Sequence, residues 1–208
     1  PFQMRTAFML NTVEEGGGSF VDGALRKLDV FQPAGLAGTP TPVPRCSTVD
    51  FLRREFIVQG APQSNCPDST ALGYIVNHLG GKGGGSQELR PIAVYNLEPP
   101  PGAPAKFGFW VENVPITVEA GVNPDFPNNI VAKIREASQV VEIFGSELIL
   151  WGNPAASVHD PLRGHCLGPK GPTGTECPAS VPVRPFLTLP RSCKGPLSTL
   201  FSATSWQG

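Results

Sequence analysis

The sequence predicts an all-β, mainly antiparallel fold: a β-sandwich-like domain with long Pro/Gly-rich loops and one short helix. Three observations predict it. The 208 residues include 24 Gly and 24 Pro, about twice the usual share of these two residues. Proline breaks helix interiors and glycine weakens them, so the chain is not mainly helical. Hydrophobic residues make up 40% and the formal net charge is -1, a combination that buries a core rather than leaving a disordered chain. Finally, short segments of period-two hydrophobicity recur along the chain with turn residues between them.

The elements follow in order. Phe2, Met4, Phe8 and Leu10 alternate with Gln3, Arg5 and Ala7, which predicts a half-buried strand. Gly16-Gly17-Gly18-Ser19 reads as a turn, and 24–31 as a second strand. A proline-rich loop covers 35–44. Ser47–Glu55 is the expected helix, with Ser47 or Thr48 as its cap and Asp50 in its first turn. Strands are predicted over 70–79, with Tyr74, Val76 and His78 on one face, and over 91–97. A hairpin over 106–121 sets Phe107, Phe109 and Val111 against Ile116, Val118 and Ala120, with Asn113-Val114 as its turn. Further strands are expected over 128–135, 146–151, 185–189 and 197–204, and a helical turn over 137–144. No internal repeat is visible. The chain reads as one module, 1–208, with a loop-rich segment at 157–182, and as a portion of a longer polypeptide.

Composition also excludes. With a net charge of -1 there is no basic stripe of the kind nucleic acids or anionic membranes require. No apolar run reaches the roughly 18 residues of a membrane span. The five cysteines, Cys46, Cys66, Cys166, Cys177 and Cys193, form no CxxC pair, which removes the main support for zinc-ribbon or thioredoxin-like readings. Cysteines on loops in a chain poor in Lys and Glu suggest an oxidising compartment. Cys46 with Cys66 is the expected first bridge, around the helix. Spacing alone does not choose among the other three; Cys166 with Cys193 is the pairing expected here.

The chemical motifs are thin. Gly80–Ser86 departs from the phosphate-loop pattern, because Lys82 is followed by Gly83 rather than Ser or Thr. A surface loop explains it. The cluster His159-Asp160-Pro161-Leu162-Arg163-Gly164-His165-Cys166 brings imidazoles near thiols, but at no recognised ligand spacing. Asn123, Asp125, Asn128 and Asn129 offer oxygens, yet one Asp is too few for calcium. No GxSxG or HExxH occurs. Glu98, Glu112 and Glu119 lie on or beside strands and read as solvent-facing acids. Trp110, Trp151 and Trp206, with Tyr74 and Tyr95, are candidates for sugar stacking or for core. No catalytic residue, metal ligand or cofactor is assigned.

Several phrases carry a resemblance. They are Leu36-Ala37-Gly38-Thr39-Pro40-Thr41-Pro42 leading to Cys46, Asn65-Cys66-Pro67-Asp68-Ser69, and Val94 to Gly102. Leu150-Trp151-Gly152-Asn153-Pro154 and Pro185-Phe186-Leu187-Thr188-Leu189-Pro190 complete the set. In this order, and over nearly the whole chain, they resemble an N-terminal β-rich segment of large, secreted, multi-domain surface proteins of actinobacteria. The resemblance implies an extracellular or cell-surface module and carries no catalytic residue with it. The expected function is therefore structural or adhesive, with strand addition along the edge Phe2, Met4, Phe8 and Leu10 as its sharpest form. Expected partners are protein subunits or surface components. Glycans are the alternative partner and a secreted hydrolase the third reading.

Overall fold

A computed structural model describes residues 2–58, 61–80, 85–88, 91–123, 129–168, 171–191 and 195–208. The fold is all-β and mostly antiparallel. Nine strands form one continuous path: β1 (Met4–Met9), β2 (Leu25–Phe31), β3 (Ala71–Gly80), β4 (Ile92–Leu97), β5 (Ala105–Val111), β6 (Val114–Val122), β7 (Ile130–Ile134), β8 (Ile143–Leu150) and β9 (Leu200–Ser205). Their order across the sheet is β1-β8-β3-β4-β5-β6-β7-β2-β9, and Ser86–Glu88 adds a short strand to β3. Every neighbouring pair along the path is antiparallel.

Alternation sorts the side chains between two faces. In β3, Ile75, Asn77 and Leu79 point inward while Tyr74, Val76 and His78 are half-buried on the outer face. In β5 and β6, Phe107, Phe109 and Val111 meet Ile116 and Val118 within one core. The sheet curls so that its far ends share contacts: Phe8 of β1 and Leu10, just after it, pack with Leu25, Leu28 and Val30 of β2. The halves thus face each other across one interior, a sandwich-like layering made by a single sheet.

Part of the outer face is covered as well. Helix α1 (Thr48–Leu52) begins at Ser47, whose Oγ accepts the Asp50 backbone N–H, satisfying one of the orphan donors of a helix start. The helix buries Phe51 in a second cluster with Tyr95, Leu97, Ile149 and Trp151. Gly108 of β5 makes room for it, because a Cβ there would lie 2.5 Å from Leu97 Cδ1 and 2.7 Å from Phe51 Cζ. In the loop before α1, Pro40, Pro42 and Pro44 have no backbone N–H to donate. Buried Asn96 supplies one, its Nδ2 donating to the Val43 carbonyl at 2.9 Å.

Several details differ from expectation. The 106–121 hairpin turns at Glu112-Asn113, because Val111 pairs with Val114; Glu112 takes φ 52°. The helix stops at Leu52, and Arg54–Val58 pairs with Ala61–Ser64 as a hairpin. Residues 137–144 form no helix, since Ile143 and Phe144 already belong to β8. A further hairpin, Thr12–Glu15 with Gly18–Val21, surrounds the glycine turn.

Candidate functional site

Two disulfides tie the covering layer down. Cys46 and Cys66 are joined, with Cα atoms 5.4 Å apart, and both sit inside the outer cluster with Phe51. Cys166 bonds to Cys177, at a Cα separation of 5.9 Å, which corrects the expected pairing with Cys193. The reason is local. Leu167–Gly168 pairs with Gly171–Pro172, and the Thr173 N–H donates to the Cys166 carbonyl. The chain folds back at once and delivers Cys177 beside Cys166. Cys193 lies outside the described residues.

Arg163 holds the same region from inside. Its side chain is fully buried and paired with Asp160. Its guanidinium also donates to the carbonyls of Cys177 (2.5 Å), Pro154 (2.6 Å) and Ala156 (3.1 Å).

The histidine cluster resolves into packing. His159 stacks on Trp151, ring centroids 4.4 Å apart and nearly parallel. Burial, and then the Arg163 charge, hold its imidazole below the usual range. His165 Nδ1 meets Asp68 Oδ1 at 2.8 Å and Nε2 meets the Ser64 carbonyl at 3.1 Å. Both partners are acceptors, so the doubly protonated ring fits best. The Asp68 hydrogen bond accordingly raises its pKa above the usual range, against the opposing pull of burial. A ring with both nitrogens donating has no lone pair left to take a proton from a nucleophile. Gly164, at φ 49°, permits the approach: a Cβ there would sit 2.1 Å from Asp68 Oδ1.

The tryptophans do not share a platform. Trp151 is 1% exposed, which removes it from the stacking set. Trp110 donates from Nε1 to the Phe51 carbonyl and carries Arg54 on its ring. Trp206 donates to the Ala137 carbonyl and carries Arg26. Trp110 sits on β5 and Trp206 follows β9, four strand spacings away along the sheet order, about 19 Å at 4.7–4.9 Å per spacing. Of the oxygen-rich stretch, Asp125 and Asn128 lie outside the described residues, as do most of the glycines of the 80–86 loop. Among the described residues, no three His, Cys, Asp or Glu side chains converge as a metal site.

What the fold leaves open is a seam between β1 and β9, the two ends of the path. Nine antiparallel strands put both ends in the same direction, so direct closure needs a parallel pair. None forms. The Cα atoms of β1 and β9 stand mostly more than 8 Å apart, where paired strands lie about 4.8 Å apart. The Phe8 and Phe201 rings reach across with centroids 6.3 Å apart. Beside the first half of β1 a groove of about 180 Å³ runs between Phe2–Thr6 and Gln32, Leu187, Leu197 and Thr199. Leu200 is 64% exposed, and every residue of β9 but the last is exposed. Of the expected edge residues, Met4, Phe8 and Leu10 are half-buried on the inner side, and Phe2 is exposed.

The backbone polarity of β1 is also set. The Leu10 N–H donates to the Phe144 carbonyl, on the side of β8. In an antiparallel ladder alternate residues face the same neighbour. Phe8, Thr6 and Met4 therefore face β8, while the N–H and C=O groups of Arg5, Ala7 and Met9 face the seam.

No protein-family model matches the sequence, and no curated protein or solved structure matches the chain. Two disulfides fit an oxidising, extracellular environment. Among the described residues no helix is long and apolar enough to cross a membrane.

Proposed function

We propose that the chain is a structural interaction module of a secreted bacterial surface protein, and that it assembles by strand addition at the β1–β9 seam. The observation that carries this reading is the mismatch of direction and spacing there. Both edges run the same way and stand mostly more than 8 Å apart, and a single strand inserted between two edges takes up two spacings, about 9.6 Å. Running antiparallel to both edges, it completes an all-antiparallel closed sheet of ten strands. It also supplies partners for the seam-facing groups of Arg5, Ala7 and Met9, the arrangement used in β-augmentation. Closure removes the edge liability of a long exposed strand.

The test is electron microscopy of the full-length secreted protein beside an Ala7→Pro variant. Proline at Ala7 deletes a seam-facing N–H and leaves the β8 ladder intact, a position edge strands tolerate. Ordered assemblies in the parent that disappear in the variant, with an unchanged circular dichroism spectrum, support the reading. Dispersed particles in both, at every concentration, refute it.

A further inference from the structure

Behind the seam lies a cavity of about 220 Å³. Its wall is almost wholly apolar, with Ile75, Val94, Phe109, Val118 and Leu148 among the lining residues. Among the described residues no ionisable side chain lines it, and the polar ones that do are Thr6, Gln32, Asn77 and Ser146.

Asn77 is the anomaly. It is 1% exposed and sits on the inner face of β3 between Ile75 and Leu79. Its Oδ1 accepts the Ser146 hydroxyl at 2.7 Å. Its Nδ2 has no hydrogen-bond partner among the described residues. A buried amide with an unmade donor bond is costly, and Asn77 presents that donor at the wall of an apolar chamber.

We propose that this cavity binds a neutral, apolar small molecule of about nine heavy atoms that carries one carbonyl acceptor, seated on the Asn77 amide. The size follows by proportion from a cavity of about 150 Å³ that takes up benzene. Neutrality follows from the wall: a carboxylate would enter without a counter-charge and lose its hydration. The single acceptor follows from the single orphaned amide nitrogen. The site stands independently of strand addition, because Asn77 lies on β3, two strands in from the β1 edge.

The probes are acetophenone, cumene and benzoate, which share one size and differ in the polar group. Each is titrated into the 208-residue chain while the side-chain amide resonances of Asn77 are followed by NMR. Saturable binding of acetophenone that moves the Asn77 Nδ2 protons, binding of cumene that leaves them in place, and no binding of benzoate at neutral pH are expected. In Asn77→Leu the preference for acetophenone over cumene, read as a ratio of Kd values, falls about two- to tenfold, the worth of one hydrogen bond. Ala120→Phe, which fills the chamber, removes binding of both. Absence of saturable binding in the folded parent (a chamber holding only water) overturns the proposal. So does benzoate binding as tightly as acetophenone, or acetophenone binding that leaves Asn77 unmoved. The parent measurements decide the matter even if a variant fails to fold.

Discussion

Replacing Arg163 with Met tests whether one buried cation organises the segment that carries the second disulfide. Methionine keeps much of the volume and removes the charge. The substitution strands the Asp160 carboxylate and withdraws donors from the carbonyls of Cys177, Pro154 and Ala156. Breaking a buried pair from one side costs about 3–5 kcal/mol, because the remaining charge stays desolvated. For a chain of 208 residues, an unfolding entropy of about 2.1 cal/mol/K per residue makes this a fall in Tm of about 7–11 °C. The assay is calorimetric melting at neutral pH without reductant. Adding Asp160→Asn to Arg163→Met is expected to recover part of the loss, with a coupling of about 1 kcal/mol or more. A drop of less than about 2 °C in the single variant, or strict additivity in the double, would refute the reasoning.

Other outcomes follow from the same geometry. His165 has a raised pKa in the fold, so its stabilisation is complete below about pH 6.5 and is lost as pH rises through the folded value. Urea titrations of His165→Gln should lack that decline. His159 has a lowered pKa, so its contribution is lost as pH falls below about 6.5; His159→Phe, which keeps a ring against Trp151, should remove that loss. Replacing Cys46 and Cys66 together by Ala opens a loop with a sequence separation of 20, and chemical unfolding should show a loss of about 3 kcal/mol. Peptide mapping without reduction should recover Cys166 linked to Cys177 rather than to Cys193. Gly108→Val drives a side chain into Phe51 and Leu97, with an overpacking cost of about 1–3 kcal/mol by the same assay.

The strand pattern was legible wherever one face is buried. Tyr74, Val76 and His78 alternate with Ile75, Asn77 and Leu79, and the pleat separates them as period two requires. That same alternation holds the signal for Asn77: an amide at an inward position between two apolar neighbours. Ser47 and Asp50 marked the helix start, but not its end: the expected helix ran on to Glu55, and tertiary pairing with Ala61–Ser64 took over the chain from Arg54. Position 112 hid its turn because a non-glycine left-handed residue has no sequence signature. The pairing of His165 with Asp68 joins residues 97 apart. The seam depends on strand order, which puts β9 beside β2 and β1 beside β8. Neither is written in local periodicity, so long-range assembly decides both.

The open seam itself is most directly tested by residue-resolved amide hydrogen exchange, on the dilute chain and on its assembled form. The account predicts rapid exchange at Arg5, Ala7 and Met9 in the dilute chain, with Thr6 and Phe8 protected by β8. On assembly the three odd-numbered amides should become protected while the even ones change little. Protection of Arg5, Ala7 and Met9 already in the dilute chain, or no gain on assembly, would contradict it.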